Sequence, residues 1–177
     1  IVGTLMNCAT INGAYNDAEI VGADMVGGIV GYSGHGSRWN EGSLSDGITN
    51  EITNVINSGS ISGENNVGGL LGVSSDTTLI GARNTGEITG IEYVGGIVGV
   101  NKAKATMSDI VNDNKASITG IKYVGGIAGR NEGEISADSM NLDNKGALYG
   151  KQYVGGIVGE NIGVVKNTNN DIKLNVI

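Results

Sequence analysis

The sequence predicts an all-β protein folded as a parallel β-solenoid (a β-helix), with about three short strands in each ~30-residue coil and about five coils. A glycine-rich heptapeptide, Tyr-Val-Gly-Gly-Ile-Val-Gly, recurs along the 177-residue chain. No segment repeats apolar residues at helical spacing for more than a turn or two. Short apolar pieces alternate with glycine and asparagine, which is typical of strands separated by turns.

The heptapeptide occurs twice unchanged, once with alanine at its sixth position and twice in a looser form. These copies are Tyr93–Gly99, Tyr153–Gly159, Tyr123–Gly129, Met25–Gly31 and Asn66–Gly72. The valines at the second position are separated by 41, 27, 30 and 30 residues. Recurrence at this spacing indicates stacked coils, because a single coil cannot bury its own apolar face.

Each of these valines follows the same three residues: an asparagine ten positions upstream, an isoleucine or leucine six upstream and a glycine four upstream. The glycines are Gly22, Gly63, Gly90, Gly120 and Gly150. Because they lie between two apolar pieces, we expect them to adopt a positive φ at a corner. In the unit that ends with Tyr153–Gly159, the pattern predicts strands at about residues 134–142, 146–149 and 153–158.

The upstream asparagines are predicted to form a ladder along the stack. They are Asn16, Asn57, Asn84, Asn114 and Asn144. A side-chain amide can donate to the equivalent residue above and accept from the one below. The alternative is that each asparagine bonds only the backbone of its own turn.

The two adjacent glycines of the heptapeptide have two possible explanations. In a straight strand, Val94 and Ile97 would point to opposite faces, yet both faces are apolar. Either a bulge at Gly95 and Gly96 turns both side chains inward, or the strand is covered on both sides. Under both explanations the glycines serve packing.

Three tyrosines occupy the first position of consecutive heptapeptides, namely Tyr93, Tyr123 and Tyr153. They are expected to stack, since equivalent residues of neighbouring coils lie one above another. Such a column is a candidate binding strip for a glycan or a partner protein. The alternative is a packing column between coils.

The 41-residue interval contains an inserted loop at about residues 33–47, which has no counterpart in the later coils. It holds the single histidine and the single tryptophan, His35 and Trp39, beside Arg38 and Glu41. Loops that extend from a repeat scaffold often carry binding residues, so these four are candidates. The glycine and serine content is equally typical of a loop without function.

Several function classes are disfavoured. A net charge of −7 argues against a nucleic-acid partner. No apolar run approaches the ~20 residues of a membrane span. A Ser/His/Asp site from Ser33 or Ser37 with His35 and Asp46 lacks any supporting motif. A single histidine excludes the common zinc motifs. Paired carboxylates are interpreted as solubilising charge. We therefore predict no catalytic residues, no metal, no cofactor and no enzyme activity.

Both ends of the chain continue the repeat pattern. Ile1-Val2-Gly3 matches the end of a heptapeptide, and residues 171–177 alternate like a strand. The expectation is a single β-solenoid fragment, residues 1–177, of a longer repeat array.

The repeated unit resembles the GLUG motif of bacterial surface proteins. The residues that carry the resemblance are Gly22–Gly31, Gly63–Gly72, Gly90–Gly99, Gly120–Gly129 and Gly150–Gly159. That motif occurs in large secreted or wall-anchored adhesin-like proteins and in the non-catalytic part of bacterial immunoglobulin-A metallopeptidases. The resemblance implies an extracellular location and a repeat-built stalk or binding module. The zinc-binding helix of those peptidases is absent from this sequence, so their activity cannot be carried over to it.

The leading hypothesis is therefore a structural and interaction module of a secreted or cell-surface bacterial protein, such as an adhesin stalk. A second hypothesis is a non-catalytic accessory module of a secreted peptidase or other enzyme. A third is a glycan-binding module that uses Trp39 and the tyrosines. Expected partners are further repeats of the parent chain and a host protein or glycan.

Overall fold

The structure, a computed structural model, describes residues 1–35, 49–113, 116–136, 142–166, 169–170 and 174–176. Within these residues every regular element is a strand, and the strands form four parallel sheets. The predicted parallel β-solenoid of about five coils is confirmed. Val94 and Val124 are register partners in neighbouring coils, as the stacking of equivalent units requires. The described part of the chain includes no helix that could cross a membrane.

Each coil passes in turn through four sheets, which we call A, B, C and D. Sheet A contains β1 (Val2–Met6), β6 (Val30–Gly34), β10 (Leu71–Ser74), β14 (Val98–Asn101), β18 (Ala128–Asn131) and β23 (Val158–Asn161). Sheet B contains β2 (Thr10–Asn12), β3 (Tyr15–Asn16), β7 (Asn50–Asn57), β11 (Thr77–Asn84), β15 (Thr106–Asn112), β19 (Glu134–Ser136), β20 (Leu142–Asn144), β24 (Val164–Lys166) and β25 (Asn169–Asn170). Sheet C contains β4 (Ile20–Val21), β8 (Ile61–Ser62), β12 (Ile88–Thr89), β16 (Ile118–Thr119), β21 (Leu148–Gly150) and β26 (Leu174–Val176). Sheet D contains β5 (Asp24–Gly27), β9 (Asn65–Gly68), β13 (Glu92–Gly95), β17 (Lys122–Gly125) and β22 (Gln152–Gly155).

The coil has four strands where the sequence predicts about three, because the heptapeptide forms a corner. Its first half lies in sheet D and its second half in sheet A, as β13 and β14 show. Val94 and Ile97 are both fully buried, but they belong to two different apolar clusters. The strand predicted at about 153–158 is accordingly two strands in two sheets, β22 and β23.

Two apolar cores run along the stack. The larger lies between sheets A and B, and the smaller lies between sheets C and D. The heptapeptide valines and the isoleucines of sheet C fill the smaller core, from Val26, Ile61 and Val67 to Val124 and Leu148. Full burial of a valine or isoleucine side chain contributes about 1.5–3 kcal/mol, so each added coil stabilises its neighbours.

Sheets A and D pack against each other through glycine. A Cβ built on Gly99 would lie 2.4 Å from the carbonyl carbon of Asn66, and one on Gly95 would lie 2.0 Å from the carbonyl oxygen of Val98. Real Cβ atoms do not approach backbone so closely, so the two sheets can meet at this separation only without side chains.

The glycines between sheets C and D have another role than the predicted one. Gly22, Gly63, Gly90, Gly120 and Gly150 do not have a positive φ. Instead, a Cβ on Gly90 would lie 2.6 Å from Cγ2 of Val94, which fills the smaller core. The predicted positive φ is therefore wrong. These positions require glycine because the valine side chains occupy the space that a side chain would need.

An asparagine ladder runs along the corner between sheets B and C. The side-chain Nδ2 of each of the first four members donates to Oδ1 of the asparagine in the following coil, at 2.7–3.0 Å. The members are Asn16, Asn57, Asn84, Asn112 and Asn144. Three of them also donate to the carbonyl oxygen two residues ahead, so cross-coil and turn bonds occur together.

The fourth ladder position belongs to Asn112, and the sequence analysis places Asn114 there. Register pairs Asn84 with Asn112 and Asn112 with Asn144. The spacing misleads because six residues separate Asn112 from Ile118, whereas four separate Asn84 from Ile88. Asn114 lies outside the described residues.

The ladder rests on the second glycine of each heptapeptide. A Cβ on Gly96 would lie 2.3 Å from the carbonyl oxygen of Gly126 and 2.6 Å from Cγ of Asn112. Gly28, Gly69 and Gly126 meet Asn57, Asn84 and Asn144 in the same way. The two most regular features of the sequence are therefore in direct contact.

A second ladder closes the end of sheet A, and the sequence analysis missed it. Asn101 donates to Asn131, and Asn131 donates to Asn161, each at 2.8 Å. The signal was available, since an asparagine stands seven residues after three of the heptapeptide valines. Before Asn101 the column continues through its register partner Ser74. The buried Asn101 Oδ1 and Ser74 Oγ have no hydrogen-bond partner among the described residues.

Replacing Gly96 with alanine should destabilise the fold by about 3 kcal/mol or more, because the new methyl group overlaps backbone and the asparagine ladder. Gly3→Ala is the matched control, since a Cβ on Gly3 meets nothing within 4 Å. Urea unfolding followed by circular dichroism measures both. A Gly96→Ala variant as stable as Gly3→Ala would contradict the proposed contact.

Replacing Ser74 with asparagine should stabilise the fold by about 1 kcal/mol, because its Nδ2 can donate to the unpaired Oδ1 of Asn101. The direction of donation matches that of the existing ladder. Ser74→Ala is the control, because it removes the same hydroxyl and supplies no donor. Urea midpoints compare the variants, and the idea fails if asparagine is less stable than alanine.

Candidate functional site: the tyrosine strip

The first residues of the heptapeptides form a column on sheet D. Its members are Met25, Asn66, Tyr93, Tyr123 and Tyr153, as the register of the neighbouring residues requires. We call Tyr93, Tyr123 and Tyr153 the tyrosine strip. Sheet D fixes their spacing, because each lies one residue before a fully or partly buried valine of the smaller core.

The three rings of the tyrosine strip are stacked. The ring centroids of Tyr93 and Tyr123 are 5.0 Å apart with planes at 4°, and those of Tyr123 and Tyr153 are 4.9 Å apart at 12°. These values describe offset stacking. Tyr123 therefore has a ring on each side, and the strip presents ring edges more than ring faces.

Exposure varies along the strip. Tyr93 and Tyr123 are half-buried, whereas Tyr153 is 61% exposed. Beside the strip, Ile91 and Ile121 stand two residues before the first two tyrosines and are 46% and 43% exposed. The site is thus a partly apolar, ridged surface along the stack.

The backbone of the tyrosine strip is left-handed. The φ angles of Tyr93, Tyr123 and Tyr153 are 56°, 55° and 55°. For an L-residue with a bulky side chain this conformation costs about 1–2 kcal/mol. Stacking returns about 0.5–1.5 kcal/mol for each pair, which offsets only part of the cost for three residues.

Several other left-handed positions use residues that adopt this conformation easily. Asn66 occupies the same column with a φ of 54°. In sheet B a second left-handed column consists of Gly13, Asn54, Gly81 and Asp109. Glycine, asparagine and aspartate tolerate a positive φ, whereas the three tyrosines, like Met25 at the start of the same column, do not. Strained residues of this kind are often retained for function.

Charged side chains lie on one flank of the strip. Lys122 Nζ is 3.2 Å from Oε1 of Glu92 in the neighbouring coil and 4.6 Å from the ring centroid of Tyr123. The hydrogen bond from Lys122 to Glu92 raises the pKa of Lys122 above its ordinary value. A raised lysine pKa means that Lys122 carries its charge at neutral pH and loses it as pH rises through that pKa.

On another side of the strip lies Arg130. Its Nε is 2.8 Å from Oε1 of Glu132, and its Nη1 is 3.1 Å from Oε2 of Glu160 and 3.5 Å from the Tyr93 hydroxyl. Burial opposes the charge on Arg130, but the Tyr93 hydroxyl and the two carboxylates outweigh it, so the pKa of Arg130 is raised. This guanidinium holds the end of the Tyr93 side chain.

The structure places only part of the predicted loop site. Ser33 belongs to β6, where it is buried and bonds Thr77, so the inserted segment begins after this strand. His35 directly follows β6 and is half-buried. Arg38, Trp39 and Glu41 lie outside the described residues, as do Ser37 and Asp46.

The described parts of the chain show no metal-binding grouping. No three His, Cys, Asp or Glu residues lie close enough there to hold a metal ion. A cleft of about 510 Å³ between β1, β4 and β5 has Asp24 as its one charged side chain. This lining supplies no acid–base pair for catalysis.

Sequence reasoning identified the tyrosines but not their charged neighbours. Glu92, Lys122 and Arg130 are ordinary surface residues in the sequence. The available signal was position, since Glu92 and Lys122 precede the tyrosines directly and Arg130 follows Tyr123 by seven residues.

Fold and site together define a β-solenoid repeat protein with an aromatic strip on one sheet. No family model and no curated protein matches the chain. Among solved structures, it is similar to a crystal structure at 1.30 Å of a Bacteroides ovatus protein described as a "putative immunoglobulin A1 protease". The TM-score is 0.70 at 18% identity, and the match covers 98% of this chain and 55% of that one. This chain therefore spans about half of that structure, and the similarity shows the fold.

The left-handed backbone makes a prediction about Tyr123. Both Tyr123→Asn and Tyr123→Val remove the stacked ring, but only asparagine tolerates a positive φ. The asparagine variant should therefore be more stable than the valine variant by about 1–2 kcal/mol, as measured by urea unfolding.

Tyr15 in β3 is the control position, because it is 57% exposed and does not have a positive φ. Valine should be the more stable replacement there, as in an ordinary strand. Finding valine preferred at both positions would refute the left-handed conformation of Tyr123.

Proposed function

We propose that the chain is a structural and interaction module of a secreted or cell-surface bacterial protein, and that it serves as an adhesin stalk or binding module. The observation that carries this proposal is the tyrosine strip. It is a partly exposed, strained aromatic column on a scaffold that has methionine and asparagine at the equivalent position of the two preceding coils. Tyrosine is enriched where proteins bind partners.

The mechanism is mechanical support combined with display. Each coil adds about 4.8 Å to the height of the stack, and every coil is joined to the next through four sheets. Asparagine ladders and two continuous cores oppose bending and separation of coils. A stiff support keeps the rings of the strip at fixed spacing, which lowers the entropy lost when a partner binds.

The module acts without chemistry of its own in this proposal, and it is not an enzyme. It belongs outside the cell or at the bacterial surface, next to further repeats of a parent chain. The resemblance to the GLUG repeat supports this location. The net charge of −7 favours protein or glycan partners over nucleic acid.

A second candidate is an accessory module of a secreted peptidase. The observation that favours it is the fold similarity to the Bacteroides ovatus protein, whose description names a protease. In that role the solenoid would position a catalytic domain elsewhere in the parent chain.

Glycan binding is the third candidate and the least supported by the tyrosine strip. Sugars bind aromatic side chains through ring faces, and both faces of Tyr123 adjoin another tyrosine. Tyr153 is the most exposed ring of the strip. A glycan array with the native chain, Tyr153→Asn and Trp39→Ala tests this candidate, and no binding by the native chain eliminates it.

The stalk proposal is tested in the bacterium that encodes the chain. Residues 50–161 are replaced in frame by a flexible glycine–serine segment of equal length, and adhesion to host matrix proteins is measured under flow. Adhesion should fall several-fold, because the segment keeps the chain connected but removes the stiff, spaced surface. Antibodies against the chain should label intact cells before the replacement.

Two other results decide between the candidates. Unchanged adhesion with reduced secreted peptidase activity would favour the accessory module and overturn the stalk. Absence of antibody labelling on intact cells and in the culture medium would overturn the extracellular location altogether.

A further inference from the structure

We propose that the tyrosine strip is the contact surface for a second copy of this chain, which lies alongside the first with its stack running in the opposite direction. This inference rests on the proposed function, since it names one partner of the same strip. The argument uses the spacing of the strip, the availability of its ring faces and the order of the charges beside it.

The spacing of the tyrosine rings suits contact with another β-solenoid. Each ring forms a ridge on the surface, and these ridges repeat at 4.9–5.0 Å, the distance between ring centroids in neighbouring coils. Strands in any sheet repeat at about 4.7–4.9 Å along the same direction. Two stacks laid side by side therefore keep their ridges in step over several coils, as paired sheets do in dry interdigitated interfaces.

The rings themselves favour a ridged protein surface over a flat ligand. Tyr123 lies between Tyr93 and Tyr153, so a planar molecule cannot stack on it without separating the coils. Ring edges and hydroxyl groups remain for contact. Tyrosine edges that enter the gaps of a similar column would bury apolar area and keep each hydroxyl within reach of solvent or a polar neighbour.

The flanking charges select the direction of the second copy. Register places one flanking residue in each coil, and the order along the stack is Asp24, Asn65, Glu92, Lys122 and Gln152. A two-fold axis across the stacks reverses this order in the partner copy. When the axis passes between the coils of Tyr93 and Tyr123, Glu92 of each copy faces Lys122 of the other.

A parallel arrangement does not form these pairs. A two-fold axis along the stacks would bring the Arg130 side of one copy, which reaches the Tyr93 hydroxyl, against the Glu92 and Lys122 flank of the other. Arg130 is already paired with Glu132 and Glu160 in its own chain, so this side supplies no unpaired cation for Glu92.

Sedimentation equilibrium of the purified chain tests the proposal over a concentration series. We expect a reversible monomer–dimer equilibrium for the native chain. Tyr123→Asn should raise the dissociation constant about tenfold or more, because it removes a central aromatic contact while suiting the left-handed backbone. Tyr15→Asn, on sheet B, should leave the dissociation constant unchanged. Thermal unfolding shows that each variant is folded.

A charge-reversal pair tests the antiparallel arrangement. In a dimer of the Glu92→Lys variant, the new lysine of each copy would face Lys122 of the other. In a dimer of the Lys122→Glu variant, the new glutamate of each copy would face Glu92 of the other. Each variant alone should therefore be monomeric. An equimolar mixture should form a heterodimer, because every facing pair is then of opposite sign. The pair within one chain is broken in both variants, so recovery in the mixture can come only from contacts between chains.

Three results would overturn the inference: a native chain that stays monomeric at the highest concentration, a dimer unaffected by Tyr123→Asn, or a variant mixture that stays monomeric. None of these affects the stalk proposal, which the adhesion experiment tests separately. Loss of adhesion with a monomeric chain would leave the strip free for another partner and reject the second copy.

Discussion

The solenoid depends on the contact between the second glycine of each heptapeptide and the asparagine of the following coil. Gly96 carries Asn112 directly above its backbone, and a methyl group at Gly96 would occupy the position of that amide. The asparagine in turn bonds the asparagine of the next coil. Corner and ladder are therefore one arrangement, in which the absence of a side chain in one coil makes room for a buried polar group in another.

The corner at this contact also explains how one heptapeptide contributes to both apolar cores and to the contact between sheets D and A. Val94 fills the core between sheets C and D, Gly95 and Gly99 let sheets D and A approach, and Ile97 fills the core between sheets A and B. A corner between the two glycines is what sends neighbouring residues into different layers. Buried amides of the ladder would be costly alone, but each one finds partners in its own turn and in the next coil.

The tyrosine strip differs from the scaffold in its energetics. Asparagine, aspartate and glycine occupy several other left-handed positions with little strain, whereas Tyr93, Tyr123 and Tyr153, like Met25 in the same column, hold that conformation against their preference. Stacking and cation contacts offset part of the strain. Tyrosine is more costly at this position than asparagine, and it repeats in three successive coils. Contact with a partner explains this choice better than a contribution to the stability of the fold.

From the sequence by itself follow the all-β class, the stacking of coils, the asparagine ladder in four of its five members and the alignment of the tyrosines. These depend on periodicity, which equivalent residues preserve when they stack. Tertiary structure alone decided the corner in the heptapeptide, the packing role of Gly90, the place of Asn112 and the charged neighbours of the strip. Each of these depends on which strands face one another across a core or along a ladder, and spacing within one coil does not contain that information.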